Sequence, residues 1–202
     1  MDEYEGIDEI VHEPSESFAA ATNVATFMRE YGIDDYESLI ERTTTELDGE
    51  PASGVDWFWD EIIDYLDIEF YTDYETVRDD TGGPQFSEWY PGGEINVAHN
   101  VVDRHAAVDS PGRNRVALIW EGEPGDVREV TFHELHRESN RVANYLDSIG
   151  VGTGDTVALY MPMAPEVVSI LYGCLKVGAI VVPIFSGFGT EATATRIADA
   201  EP

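Results

Sequence analysis

The sequence predicts an α/β protein: a partial doubly wound sheet of strand–helix repeats, preceded by a mostly helical N-terminal extension. Three observations carry that prediction. From about residue 114 onward, β-branched runs of strand length alternate with longer stretches of helical apolar spacing, the order that builds parallel sheets flanked by helices. Ahead of them, apolar residues recur at helical spacing behind capping residues. Between the two, Gly82-Gly83-Pro84 and Pro91-Gly92-Gly93 mark about 79–93 as loop or turn backbone.

In chain order, residues 1–20 are acidic and weakly periodic and read as a loose arm. Two short helices are expected next. Asp34, with Glu37 three residues on, makes a capping-box-like start for the stretch containing Tyr36, Leu39 and Ile40. Ser53 with Asp56 does the same before Trp57, Phe58, Ile62, Ile63 and Leu66. Val116–Trp120 reads as a strand and Glu121–Gly125 as the turn after it. A helix over about 132–149 places Phe132, Leu135, Val142, Leu146 and Ile149 on one face. Thr156–Met161 is a second strand. Pro165 then suits the first turn of a helix, where its missing N–H leaves nothing unsatisfied; this helix runs through Val167, Ile170, Leu171 and Leu175 to about Val177. Ala179–Phe185 is a β-branched run suited to a buried parallel strand. A last helix starts near Thr190 with nothing after it to pack beside. Three strands make a narrow sheet, so the chain is expected to be the front part of a larger protein.

Composition excludes several function classes. Hydrophobic residues make up 43% and aromatics 11%, enough for a core, so the chain is not a disordered acidic polymer. Its 41 acidic residues against 11 basic ones give a formal net charge of -30, and Lys176 is the only lysine. Phosphate backbones and anionic membrane surfaces repel such a chain, so neither nucleic acid nor membrane is an expected partner. The acid runs from Asp2 to Glu201, the distribution expected of a protein built for concentrated salt, where counter-ions screen self-repulsion. Cys174 stands alone, which excludes an intrachain disulfide and fits a reducing compartment. The longest apolar stretch, Val177–Phe185, is far too short to span a bilayer, and MDEYEGIDEI has no signal-peptide pattern. A cytoplasmic location is expected.

Local chemistry names no active site. Gly150-Val151-Gly152-Thr153-Gly154 follows a helix and enters a strand, the reverse of a dinucleotide fingerprint, and reads as a helix-ending turn. Ser186-Gly187-Phe188-Gly189-Thr190 has the right order, leaving a strand and opening a helix, where free N–H groups favour anions. It lacks the lysine and spacing of a Walker loop, so phosphate contact and a plain βα turn both remain open. His133 and His136 are three apart, whereas the zinc-protease pattern needs four, and no metal ligand set is expected. His105 could orient a turn through hydrogen bonds. Cys174 falls in an apolar helix as core, and Lys176 lies in that helix's last turn, where a cation suits the dipole.

The run Trp89-Tyr90-Pro91-Gly92-Gly93-Glu94-Ile95-Asn96-Val97-Ala98-His99-Asn100, followed by Asp103-Arg104-His105, resembles the front of acetyl-CoA synthetases. Further matches follow in the family's order: Ala117–Glu123, Thr131-Phe132 with Glu134-Leu135, Asp155–Met163 with Pro165-Glu166, and Phe185-Ser186-Gly187-Phe188 with Glu191-Ala192 and Arg196-Ile197. Together they run from about residue 57 to the end. The resemblance implies an AMP-forming acyl-CoA synthetase of the adenylate-forming superfamily, using ATP, CoA and Mg²⁺ to turn a carboxylate into its CoA thioester. It implies residues 21–105 as the acetyl-CoA synthetase-type N-terminal region and 106–202 as the start of the AMP-binding domain. It also implies CoA contacts at Phe185, Ser186 and Gly187, and no catalytic residue or metal ligand in this chain. The family's phosphate loop, adenine-binding segment and catalytic lysine lie downstream of the matching positions, so the expected partner is the missing C-terminal portion. Without it the chain is expected to be inactive; a non-catalytic remnant or interaction module is the alternative. Phe188-Gly189-Thr190 stands where the family usually has F-S-P, and Val181-Val182-Pro183 departs from the usual entry to the loop. The acyl substrate is left open.

Overall fold

The computed structural model describes residues 13–47 and 53–202, so most of the expected arm, residues 1–12, lies outside the described residues. The chain divides into two compact units, Met1–Ile68 with Glu75–Pro91, and Glu69–Tyr74 with Gly92–Pro202.

The first unit is helical: α1 (Glu16–Ala20), α2 (Asn23–Glu30), α3 (Tyr36–Thr44) and α4 (Gly54–Tyr65). Helix α1 forms inside the stretch expected to be loose, because the Ser15 hydroxyl caps Phe18 N–H. Helix α2 was not expected, although Val24, Phe27, Met28 and Tyr31 stand at helical spacing; Thr22 caps it through Ala25 N–H. Two helices were expected here and both form. The cap of α3 is Asp35 rather than Asp34, its carboxylate accepting from Ser38 N–H. Ser53 caps α4 as expected, accepting from Asp56 N–H. Phe27, Leu39 and Trp57 are the buried centre, one from each of α2, α3 and α4. The Phe27 ring centroid lies 4.4 Å from Tyr31 and 5.3 Å from Tyr65. The Arg42 guanidinium sits 3.8 Å over the Trp57 ring. A two-residue hairpin, β1 (Arg78–Asp79) with β2 (Glu88–Trp89), completes the unit, and Arg78 pairs with Asp56 of α4 at 3.0 Å.

The second unit is mixed α/β. A π-helical turn, His99–Asp103, runs into α5 (Arg104–Ala106). Then come β3 (Val116–Glu121), β4 (Val127–Thr131), α6 (Phe132–Ser148), β5 (Thr156–Met161), α7 (Pro165–Lys176), β6 (Ile180–Phe185) and α8 (Thr190–Ala200). The α/β class and the helical front hold. The expected three-stranded sheet does not: β5 pairs with β6 in parallel, whereas β3 pairs antiparallel with β4. Strand β4 escaped the sequence reading because Arg128 and Glu129 interrupt its apolar residues; a hairpin around Gly122–Gly125 then claims the β3 ladder.

Helix α6 opens on a full capping box, Thr131 with Glu134. It closes as the glycine turn expected at Gly150, with Val151 N–H to Leu146 O at 3.0 Å and Gly150 N–H to Asp147 O at 3.0 Å. Ile149 stays outside the apolar face, 58% exposed. Helices α6 and α7 lie close together, and Gly173 makes that possible: a Cβ there would stand 2.5 Å from Val142 Cβ. Leu146, Cys174 and Ala179 form the buried cluster beneath, where burial raises the Cys174 thiol pKa. Strand β6 is less buried than its sequence predicts. Ile184 is enclosed, but Ile180 and Phe185 are exposed, because only two strands make up its sheet. Among the described residues no helix is long and apolar enough to cross a membrane.

Candidate functional site

Strand β6 delivers Phe185 to its carboxyl end, and Ser186-Gly187 turn the chain toward α8. Phe188 N–H closes that turn on Phe185 O at 3.0 Å. The Tyr160 hydroxyl, at the corresponding end of β5, faces two loop carbonyls, Ser186 O at 3.2 Å and Phe188 O at 3.0 Å. The Phe185 and Phe188 rings meet edge to face, 5.5 Å between centroids. Arg196 of α8 places its guanidinium 4.1 Å from the Phe188 ring. Gly187 lies under the Phe185 ring: a Cβ there would stand 2.5 Å from Phe185 Cε1. The Phe185 ring is 65% exposed, and Ser186 and Gly187 are open to solvent.

Among the described residues, no backbone acceptor faces the amides of Gly187 or Gly189, and α8 has no side-chain cap. Open N–H donors therefore lie next to an exposed aromatic face and near a cation. That combination can hold an anionic group and a planar ring at once. The structure brings the three expected loop residues together at one strand end. Sequence reasoning missed Tyr160 as a partner of the loop, because strand periodicity says nothing about which carbonyl a hydroxyl meets.

The other candidates belong to a polar clamp. Lys176 stands in the last turn of α7, as expected, and its ammonium donates to Asp103 Oδ1 and, at 2.7 Å, to Asn140 Oδ1. Asp103 Oδ1 also accepts from His136 Nδ1 at 2.7 Å, and Asn140 Nδ2 lies 2.9 Å from His136 Nε2. These contacts close a ring of four side chains. Because Lys176 can only donate, it fixes the Asn140 oxygen toward itself and the amide NH2 toward His136. The His136 Nε2 must then accept, which assigns the neutral ring protonated at Nδ1.

The neighbouring polar residues are equally occupied. Asn96 donates to Leu175 O at 2.9 Å, satisfying a carbonyl at the end of α7. The Asn100 side chain bonds Glu69 at both backbone groups, accepting from its N–H at 2.8 Å and donating to its O at 2.9 Å. His99 pairs with the Glu69 carboxylate and holds its pKa below the usual range, chiefly through that hydrogen bond. His105 stacks beside Phe132, 5.0 Å between centroids, in place of the hydrogen-bonding role expected for it. His133 Nε2 lies 3.4 Å from Arg113 Nη2 and does not share a site with His136. Asn96, Asn100 and Asp103 thus each have their side chains hydrogen-bonded within this unit.

Known protein families match most of the chain. The model for acetyl-coenzyme A synthetase N-terminus matches residues 50–101, and that for AMP-binding enzyme matches residues 104–202. The chain belongs to the acetyl-CoA synthetase-like AMP-binding enzymes, and corresponds to their N-terminal portion. Within the family, it is 36% identical over 191 residues to acetyl-coenzyme A synthetase of Thiobacillus denitrificans, covering 95% of this chain and 26% of that one. Acetyl-coenzyme A synthetase of Gemmatimonas aurantiaca is 48% identical over 116 residues, covering 57% of this chain and 17% of that one. The acetoacetyl-CoA synthetase of Streptomyces lividans shares the fold, with a TM-score of 0.80 at 24% identity over 94% of this chain and 28% of that one. The chain therefore spans about a quarter of the length of these synthetases.

Proposed function

We propose that this chain is the CoA-facing front portion of an AMP-forming acyl-CoA synthetase, which converts a short carboxylate, ATP and CoA into acyl-CoA, AMP and pyrophosphate. The observation that carries this reading is the exposed loop at Phe185, Ser186 and Gly187, with unpaired amides beside an aromatic face. In this family member those residues contact the CoA nucleotide, the Phe185 ring covering its base and the Gly187 backbone approaching it closely. ATP and Mg²⁺ act on groups outside residues 1–202. The residues present do not fit the adenylation step, because a transferred adenylate needs positioned cations and the one lysine is spent in the clamp, its side chain 9% exposed. Residues 21–105 serve as the acetyl-CoA synthetase-type N-terminal region and 106–202 as the opening of the AMP-binding domain. The downstream portion is the partner, in the cytoplasm.

Two assays test this. Calorimetric titration with CoA should show binding that is lost in Gly187→Val, while AMP release from ATP, acetate and CoA should be absent until the downstream portion is supplied. AMP production by the chain alone would overturn the account of where the adenylation groups lie.

The net charge of -30 adds a proposal about conditions: the fold is maintained by concentrated salt. Circular dichroism should show structure lost in dilute buffer and regained in molar KCl. An ellipticity indifferent to salt would contradict it.

A further inference from the structure

We propose that Tyr160 is a positioning residue for the coenzyme loop, acting through its hydroxyl on the carbonyls of Ser186 and Phe188. The proposal rests on the CoA reading of Phe185–Gly187 and extends it to a residue on a different strand.

A peptide unit is planar, so turning a carbonyl one way turns the following N–H the other way. Ser186 O and Phe188 O both point at the Tyr160 hydroxyl, at 3.2 and 3.0 Å. The amides that share those peptide planes belong to Gly187 and Gly189, and neither has a backbone acceptor among the described residues. One hydroxyl, in a shared hydrogen bond, thus aims two N–H groups away from the protein. Without it, neither glycine has a side chain to restrict the peptide planes, and both are free to rotate. Strand pairing supplies the other half of the geometry. Tyr160 pairs with Ile184, one residue before the loop begins, so the phenol rises from the sheet at the height of the turn. Arg196 over Phe188 braces the far side of the loop at 4.1 Å. The rings of Phe185 and Phe188 meet each other edge to face at 5.5 Å, and the hydroxyl is the polar contact at these carbonyls.

Such a residue acts on affinity more than on stability. Tyr160 is 49% exposed, and replacing it with Phe keeps its apolar contacts. The test is Tyr160→Phe in the full chain, in molar KCl, read by CoA titration, amide hydrogen exchange and thermal melting. Tyr145→Phe, on the exposed side of α6, is the control. We expect Tyr160→Phe to weaken CoA binding about tenfold, the worth of one hydrogen bond at a binding site. Exchange should accelerate at the Phe188 amide, whose bond to Phe185 O at 3.0 Å closes the loop turn, and the melting temperature should stay with that of the control. Unchanged exchange at this amide would overturn the proposal whatever CoA does. So would faster exchange with unaltered CoA affinity. If the unsubstituted chain binds no CoA, the coenzyme reading fails by itself, and the exchange comparison still decides whether Tyr160 holds the loop. Should Tyr160→Phe not fold, carbonyl ¹³C shifts in the unsubstituted chain decide: Ser186 and Phe188 should lie downfield, and shifts typical of solvent-exposed loops would defeat the proposal.

Discussion

The two units hold themselves together by different physics. In the first, α2 and α4 meet through rings, with Leu39 of α3 beside them: Phe27 lies against Tyr31, Tyr65, Phe58 and Trp57, with an apolar groove of about 390 Å³ left open beside it. In the second, a polar ring of Asp103, Lys176, His136 and Asn140 ties the π-helical turn to α6 and α7. Apolar contacts are non-directional and tolerate exchange of one large side chain for another. A closed polar ring tolerates little, because each member is both partner and orienter of the next. The Asn96–His105 run reads as a motif, and its polar side chains meet partners at Glu69, Leu175 and Lys176.

The largest expected effect breaks the first unit alone. Phe27→Ala empties the centre of the ring cluster and should cost about 3–5 kcal/mol, the usual loss for a buried Phe. The near-UV signal of Trp57 should disappear while amide protection across α6 and α7 persists. Simultaneous loss of both would show that the units do not differ in the way described.

A smaller effect sharpens the comparison from the other side. Asp103→Ala strands the Lys176 ammonium, whose side chain is 9% exposed, and leaves His136 Nδ1–H without its acceptor. We expect a loss of about 2–3 kcal/mol, below the full value for a dry ion pair because the Asp103 side chain is 27% exposed. Adding Lys176→Met to Asp103→Ala should recover part of that loss, since the stranded charge is gone. Additive losses in a chemical-denaturation cycle would mean that the two side chains do not act as a ring.

How far each region was legible follows from the same contrast. Periodicity and capping chemistry are local, so α4, α6, α7 and the glycine turn at Gly150 could be placed from sequence. Pairing is not local. The claim of β4 on β3 depends on a hairpin whose second strand is half charged, and the two-stranded β5–β6 sheet leaves Phe185 exposed where its run promised burial. The neighbouring acids at Asp34 and Asp35 look alike in sequence, and only the extended backbone at Asp35 decides which caps α3. For the candidate site, Phe185, Ser186 and Gly187 were found by order along the chain. Tyr160 lies twenty-odd residues earlier in the chain, and no spacing rule connects its hydroxyl to the carbonyls it meets.

The smallest effect concerns the one place in the second unit where a local signal and a polar network coincide. Thr131→Ala removes the cap of α6 and should cost about 1 kcal/mol, less than either change above. Its partner Glu134 has a carboxyl pKa held below its ordinary 4.5, first by the Thr131 backbone N–H and then by the Thr131 hydroxyl. A folded value below the unfolded one means that its stabilisation is complete above about 4.5 and fades as pH falls through the lower, folded value. Glu134→Gln should therefore flatten the acid side of the stability–pH profile relative to the unsubstituted chain and leave the neutral side parallel to it. Many other carboxylates titrate in the same window, so the informative quantity is the difference between the two profiles at one salt concentration. Molar salt screens the charge of Glu134 but leaves its short hydrogen bonds in place. The difference should survive in KCl; if it vanishes there, long-range charge and not the capping box sets the carboxyl's low pKa.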